Sequence, residues 1–147
     1  KKNINEFIDG SSMDCSNKDI TRLEYIPDGI IHLYCEHNKL TELPKLPDGL
    51  ISLWCSNNQL TELPKLPDSL MNLYCYNNKL TELPKLPESL TDLYCENNKL
   101  TELPKLPESL EYLYCYNNNL PYKIKIENLK EHNTLIKRKQ ILSKICV

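Results

Sequence analysis

The sequence has few of the residues that active sites, phosphate loops and membrane spans require. It contains three glycines, Gly10, Gly29 and Gly49, so it lacks the glycine-rich loop that cradles phosphate groups. No apolar run approaches the roughly 18 residues of a membrane-spanning helix. The opening KKNINEFIDGSS has no apolar core of a signal peptide. No CxxC pair and no Ser/His/Asp set stands out. We therefore expect no catalytic residues, no cofactor, no bound metal and no membrane contact.

The charge is close to balanced over the whole chain but uneven along it. The sequence has 18 basic and 20 acidic residues, a net charge of −2, which gives no reason to expect nucleic acid as the main partner. From Pro121 onward there are seven basic and two acidic residues, whereas the first 120 residues carry a net charge of −7. A mildly acidic body is therefore followed by a basic tail. We expect the basic side chains of this tail to face solvent, and a contact with nucleic acid or an acidic membrane is the alternative.

The dominant feature of the sequence is a repeat of 20 residues, LxxLxCxxNxLTELPKLPxx. Six of the seven cysteines follow this interval: Cys15, Cys35, Cys55, Cys75, Cys95 and Cys115. An asparagine and a pair of prolines recur with the same spacing. About six units fit, and the first is degenerate, with Lys18 in place of the asparagine. This is the pattern of leucine-rich repeats, with cysteine at one of the leucine positions.

Each unit predicts one short strand and one extended return. In Asn72–Tyr76, Leu73 and Cys75 alternate with outward-facing residues, as in a half-buried strand. The following TELPKLP segment cannot be helical, because proline lacks an N–H and disfavours helix at the preceding residue. The predicted fold is an α/β repeat solenoid, a leucine-rich repeat horseshoe with a parallel concave sheet and an extended, polyproline-like convex side.

The units divide the chain into three parts. We predict an N-terminal flank at residues 1–11, repeats at 12–120 and a C-terminal capping helix at 121–147, helical from about Glu127 to Ile145. One face of this helix is apolar and is expected to cover the last repeat. The apolar residues are Ile126, Leu129, Ile136, Leu142 and Ile145, and the opposite face carries Lys130, Lys137, Arg138, Lys139 and Lys144.

The repeated cysteines and asparagines are interpreted as structural. Cysteines on neighbouring parallel strands point the same way, which does not suit a disulfide, and a metal needs ligands around one point rather than in a line. Six unpaired thiols then imply a reducing compartment, so we expect a cytoplasmic protein. The asparagines are expected to satisfy backbone groups of their own and the next repeat. His32 and His37 are read as exposed side chains rather than metal ligands.

The outward strand positions form the candidate binding surface. They predict a central row of aromatic side chains and two flanking rows that vary between repeats, as a scaffold with a tailored binding face would show. The central row is Tyr34, Trp54, Tyr74, Tyr94 and Tyr114. The flanking contact residues are His32, Asn72, Asp92 and Tyr112 on one side, and Glu36, Tyr76, Glu96 and Tyr116 on the other.

The motif LPxLPxxLxxLxCxxNxL resembles a known group of repeats across roughly residues 12–120. It resembles the short leucine-rich repeats of bacterial type III effectors of the YopM and IpaH kind. The LYCYNN and LYCENN variants are similar to repeat proteins of giant DNA viruses of amoebae. The resemblance implies a scaffold that binds host or self proteins, in the case of an effector in the host cytoplasm. In the IpaH kind the repeats precede a ubiquitin-ligase domain, which the residues after Pro121 are too few to form.

Three functions remain open from the sequence. The first is a non-enzymatic scaffold that binds a protein partner on its aromatic face. The second is a substrate-recruiting fragment of a longer enzyme, such as a ubiquitin-ligase-like effector. The third is a self-associating structural protein, a homo-oligomer whose aromatic face packs against a second copy.

Overall fold

A computed structural model describes residues 3–146 and contains one seven-stranded sheet in the order β1-β2-β3-β4-β5-β6-β7. The strands are β1 (Ile8–Asp9), β2 (Ser12–Asp14), β3 (His32–Tyr34), β4 (Ser52–Trp54), β5 (Asn72–Tyr74), β6 (Asp92–Tyr94) and β7 (Tyr112–Tyr114). One α-helix, α1 (Leu129–Ile145), follows the sheet. Short 3-10 helices at Ile4–Phe7 and Ile126–Asn128 precede β1 and α1.

The 20-residue spacing sets the register of the parallel strands. From β2 to β7 each residue pairs with the residue one repeat later, as Leu33 pairs with Leu53 and Leu53 with Leu73. A shift of one residue would turn the leucines and cysteines outward, so burial holds this register. Six parallel strands joined by five returns make about five full turns, which confirms the predicted leucine-rich repeat solenoid.

The proline-containing returns are neither helix nor strand, as predicted. Their leucines face inward, and Leu63 and Leu66 are 7% and 3% exposed. Leu53, Leu60 and Cys55 of the same repeat are fully buried. The core is therefore a stack of equivalent side chains, each packed on its counterpart in the neighbouring repeat. Burial of this kind contributes roughly 25 cal/mol per Å² of apolar surface.

The buried asparagines tie each repeat to the one before it. The Nδ2 of Asn58 donates to the carbonyl oxygens of Cys35 and Cys55 at 3.0 and 3.1 Å. Its Oδ1 accepts from the backbone N–H of Leu40 at 3.0 Å. The expectation that the asparagines satisfy backbone groups was right, but the neighbour they bond is the preceding repeat, not the next one. The same contacts recur at Asn78 and Asn98.

The N-terminal edge of the sheet carries a strand that the repeat pattern did not predict. β1 pairs antiparallel with β2, with Ile8 opposite Met13. The turn between them uses Gly10 at φ 58°, a conformation that glycine adopts without strain. The open edge of the first repeat is thus covered by a hairpin. The predicted flank boundaries stay a prediction, and Lys1, Lys2 and Val147 lie outside the described residues.

Helix α1 docks through its first turns on the return that joins β6 to β7. The side-chain amide of Asn133 forms two hydrogen bonds with the backbone of Leu106. Its Oδ1 accepts from the N–H at 2.8 Å, and its Nδ2 donates to the carbonyl oxygen at 2.7 Å. The buried ring of His132 lies between the Pro104 carbonyl oxygen, 2.9 Å from Nε2, and the Tyr122 hydroxyl, 2.8 Å from Nδ1. Polar contacts therefore fix this end of the helix, together with the buried Leu129.

The second half of α1 differs from the sequence expectation. Leu142 and Ile145 are 59% and 71% exposed, so they do not help to cover the last repeat. At about 3.6 residues per turn, Leu142 lies on nearly the opposite side of the helix from Leu129. Lys139, expected on the free face, lies on the docked side, with Nζ 4.0 Å from Glu102 Oε2.

Candidate interaction surface

The central aromatic side chains form one continuous stack on the outer face of the sheet, called here the sheet face. The ring centroids of Trp54 and Tyr74 are 4.2 Å apart, and those of Tyr74, Tyr94 and Tyr114 follow at 4.6 Å. The stacked rings are tilted by 20–24°, whereas Tyr34 and Trp54 are 5.7 Å apart and tilted by 55°. The register of β3 to β7 places these residues side by side.

Stacking determines which part of each ring faces solvent. Because Tyr74 and Tyr94 are each covered on both faces, they present their ring edges and hydroxyl groups outward. Burial raises the pKa of the Tyr74 hydroxyl to about 12, and the charge of Asp92 contributes a further increase. Burial also raises the pKa of Tyr94. The last ring, Tyr114, is 44% exposed. The faces of the inner rings are therefore covered by their neighbours, whereas Tyr114 at the C-terminal end of the stack is exposed to solvent.

The first flanking row is linked across the strands by hydrogen bonds. Ser52 Oγ donates to Asn72 Oδ1 at 2.8 Å. The carboxylate of Asp92 accepts from the Tyr74 hydroxyl at 3.2 Å and from Thr91 Oγ1 at 2.8 Å. His32 lies at the N-terminal end of this row, and Tyr112 lies at the other end and is 52% exposed.

The second flanking row contains two glutamates in different surroundings. Glu36 Oε2 accepts a hydrogen bond from Ser16 Oγ at 2.9 Å. Glu96 is 8% exposed, and its Oε2 is buried without a hydrogen-bond partner among the described residues. Burial raises the pKa of Glu96 above its usual value. Its neighbours in the row are Tyr76 and Tyr116, the latter 57% exposed.

A third row borders the sheet face with left-handed backbone conformations. Its residues have φ between 51° and 56° and are His37, Asn57, Asn77, Asn97 and Asn117. Asn77 donates to Asn57 and Asn117 to Asn97, each at 2.8 Å. Asparagine tolerates this conformation, which explains its recurrence here. The sequence contained this signal in the repeated Asn-Asn pair.

The structure extends the predicted surface by one strand. Asp14 on β2 lies opposite Tyr34 and continues the central row, and Ser16 supplies the donor to Glu36. Both belong to the degenerate first repeat, whose strand the cysteine spacing indicates. Nine of the thirteen predicted contact residues lie in β3 to β7 at equivalent positions of the register. The other four follow each strand by two residues, and their carbonyl oxygens accept hydrogen bonds from the preceding repeat; they are Glu36, Tyr76, Glu96 and Tyr116.

The six repeat cysteines lie beside the leucines in the core, unpaired and buried. Burial raises the pKa of Cys15 to about 12 and of Cys115 to about 11, and raises those of Cys35, Cys75 and Cys95 well above the usual value. Within residues 3–146, no cluster of three or more His, Cys, Asp or Glu side chains is arranged to hold a metal ion. Buried neutral thiols behave as small apolar side chains.

Thiol labelling should distinguish the buried cysteines from the exposed one. We expect one thiol, Cys146, to react rapidly with the disulfide reagent DTNB in the native protein, because it is exposed. All seven should react after unfolding in guanidinium chloride. Absorbance of the released thiolate counts them. A second rapidly reacting thiol in the native protein would contradict the burial of the cysteine row.

A cleft of about 710 Å³ lies beyond the sheet at the C-terminal end. Tyr114, Tyr116, Tyr122, Lys123 and Lys125 are among its lining residues. Two basic side chains thus lie beyond β7, at the C-terminal end of the aromatic stack. No helix in the described part of the chain is long and apolar enough to cross a membrane.

Comparison with known proteins identifies similar repeats. No family model matches the chain, and the search of curated proteins gave no match either. Among solved structures, YopM from Yersinia enterocolitica is 43% identical over 75% of this chain, with a TM-score of 0.74. YopM from Yersinia pestis is 38% identical over 81%, at 0.75, and a Shigella effector leucine-rich repeat domain is 33% identical over 80%, at 0.76.

These comparisons support the fold and the bacterial part of the resemblance. The chain is a leucine-rich repeat protein that resembles effector proteins of the YopM and IpaH kind. It spans 25%, 34% and 54% of the three solved chains, which is less than two thirds of each. The similarity to giant-virus proteins stays a prediction.

Proposed function

We propose that this leucine-rich repeat chain is a non-enzymatic module that binds a protein partner on its sheet face. The observation that carries the proposal is the aromatic stack across five strands, which ends in three exposed tyrosines. Tyr112, Tyr114 and Tyr116 are 52%, 44% and 57% exposed. Exposed tyrosine and tryptophan are enriched among the residues that dominate binding energy at protein interfaces. Similarity to effector repeat domains supports a protein partner rather than a small molecule.

The distribution of sequence variation supports the same face. The returns carry nearly identical rows of glutamate and lysine, such as Glu62 and Lys65, and the core positions are nearly constant. The rows that flank the aromatic stack differ from repeat to repeat. Constant packing residues beneath a changing outer surface are what a scaffold for one particular partner requires. We propose that all thirteen residues of the central and flanking rows contribute to the contact.

Loss of two central rings should abolish partner binding. We expect the double substitution Trp54→Ala and Tyr74→Ala to weaken binding by at least about 30-fold, because both rings lie in the middle of the stack. Affinity capture with the purified protein as bait, followed by titration of the captured partner, measures the change. Circular dichroism checks that the fold persists, since both side chains are half-buried rather than in the core.

A matched control uses a tyrosine outside the sheet face. Tyr25 is 54% exposed and lies in the first return, so Tyr25→Ala should leave binding unchanged. Equal affinity of the double variant and the original protein would reject the sheet face as the binding surface.

The six buried thiols favour a reducing compartment such as the cytoplasm, because secreted domains rarely retain so many unpaired cysteines.

A second function is that of a substrate-recruiting arm of a longer enzyme. The observation that favours it is that the similar solved chains are longer than this one. Immunoblotting of the native source tests it, and a product of the size of this chain would contradict it.

A further inference from the structure

Unpartnered buried polar atoms are concentrated on the sheet face. Among residues 3–146, the buried side-chain atoms without a hydrogen-bond partner are His32 Nδ1, Ser56 Oγ and Glu96 Oε2. All three residues belong to the rows that flank the aromatic stack. Buried polar groups are nearly always bonded in folded proteins. Ser56 is fully buried, whereas Glu96 is 8% exposed and can be reached from the sheet face.

Glu96 is the charged member of this set. Comparison with Glu36 shows that the missing hydrogen-bond donor is particular to Glu96. Both glutamates occupy the same position of the repeat, one residue after the cysteine. The preceding repeat supplies Ser16 as a donor to Glu36, but supplies Tyr76 next to Glu96, with no hydrogen bond between them. Burial of this carboxylate, which is 8% exposed, raises its pKa, and a hydrogen bond from its own backbone N–H offsets part of that rise but leaves the buried Oε2 without a donor.

The charge of the surrounding surface points to the sign of the ligand. The outward positions from β2 to β7 carry the acidic residues Asp14, Glu36, Asp92 and Glu96 and have no lysine or arginine. Both oxygens of Asp92 already accept hydrogen bonds, from Tyr74 and Thr91. Glu96 therefore keeps unused acceptor capacity in an acidic field, a combination that favours a cationic group.

The neighbouring rings determine how such a group would approach. Tyr94 is covered on both faces by the rings of Tyr74 and Tyr114, so it offers its edge and not its face. Tyr116, next to Glu96 in the same row, is 57% exposed. A long basic side chain can place its aliphatic stem along the exposed ring and its charged head against the carboxylate.

We propose that the partner on the sheet face is a cationic protein segment and that Glu96, with Tyr116, binds one of its arginine or lysine side chains. This inference rests on the proposed function and adds the chemistry of the partner. Glu96 gains the donors that its own fold omits, and arginine suits it best because its planar head donates two parallel hydrogen bonds to a carboxylate.

The test uses two synthetic peptides that differ in charge alone. The probes are fluorescein-labelled peptides of alternating arginine and serine, and the same peptides with citrulline, the neutral isostere, in place of arginine. Fluorescence anisotropy should show at least about tenfold tighter binding of the arginine peptide. Glu96→Gln should reduce that affinity about tenfold or more, whereas Glu62→Gln should change it less than about twofold, because Glu62 is exposed on a return, away from the sheet face.

Thermal unfolding separates recognition from a structural role. Glu96→Gln should maintain or raise the melting temperature, because it removes a buried charge whose Oε2 has no hydrogen-bond partner. Reduced affinity together with maintained stability supports the proposal. Equal affinity of both peptides, equal loss in the two glutamine variants, or a lowered melting temperature for Glu96→Gln would overturn it.

Two further outcomes separate this inference from the proposed function. If the Trp54 and Tyr74 double variant loses its captured partner but Glu96→Gln retains it, the sheet face binds a partner and the cationic chemistry is wrong. Light scattering over a concentration series tests a second copy as the occupant, since helix α1 has basic residues of its own. Dimers that Glu96→Gln dissolves would identify that copy and overturn the proposal of a separate partner.

Discussion

Raising the pH from about 8 to about 10.5 is expected to unfold this protein. Its six buried thiols have pKa values raised by burial, to about 11 for Cys115 and about 12 for Cys15, and well above the usual value for Cys35, Cys55, Cys75 and Cys95. In the unfolded chain a thiol loses its proton near the usual value of 9.0. Above that pH the unfolded state binds fewer protons, so the free energy of unfolding falls as pH rises.

The size of the effect follows from the number of thiols. At about pH 10.5 each fully buried thiol lowers the free energy of unfolding by about 2 kcal/mol relative to neutral pH. The summed loss from the six buried thiols is comparable with the total stability of a typical domain, about 5–15 kcal/mol. Stability is retained below pH 9 and lost from there through the raised values. Tyr74, with a pKa of about 12, adds to the loss at the upper end.

Urea unfolding across this pH range, in the presence of a phosphine reductant, measures the loss. Cys75→Ala should flatten the pH dependence by removing one titrating thiol, although it also lowers stability at neutral pH. Cys146→Ser should leave the profile unchanged, because Cys146 is exposed. A midpoint that stays constant up to about pH 10.5 would show that these thiols are not in the core.

Removing one inner asparagine should be the most destabilising polar substitution in the repeats. Asn58→Ala would leave the N–H of Leu40 and the carbonyl oxygens of Cys35 and Cys55 without their side-chain partner. Each buried group that loses its partner costs about 1–3 kcal/mol. We therefore expect a loss of about 3–5 kcal/mol, which is a large fraction of the stability of a domain of this size.

Urea or thermal unfolding of three variants tests this expectation. Gln59→Ala is the adjacent control, and it should have little effect because Gln59 is exposed. Asn118→Ala should have a smaller effect than Asn58→Ala, because the contacts of Asn118 are partly open to solvent. Equal losses at Asn58 and Gln59 would contradict the assigned role of the asparagines.

The sequence was sufficient to predict most of the features that depend on a repeated position. Because Leu33, Leu53 and Leu73 recur at one spacing, one interpretation of a single unit gave the strands, their register and the inward cysteines. The alternation around Tyr74 likewise placed the aromatic stack on the outer face. The direction of the Asn58 contact was not predicted, since the spacing is the same toward either neighbouring repeat.

Features that occur once were predicted less well. The antiparallel strand β1 depends on a single turn at Gly10. In helix α1, apolar residues suggested one buried face, but polar contacts of His132 and Asn133 orient the helix and leave Leu142 exposed. The difference between Glu36 and Glu96 depends on which residue the preceding repeat provides, so it needed the pairing of specific residues across the strands.

The sameness of the contacts between repeats has a consequence for how such a chain can change over generations. Ser69 donates to the carbonyl oxygens of Asp48 and Leu50, and Ser89 does the same one repeat later, at 2.7–2.9 Å. For the core and for these hydrogen bonds, one inner block that carries the serine can therefore replace another. Unequal recombination in multiples of sixty nucleotides would lengthen or shorten the protein without disturbing either terminus. The length of the surface that meets a target would then be inherited as the number of repeats.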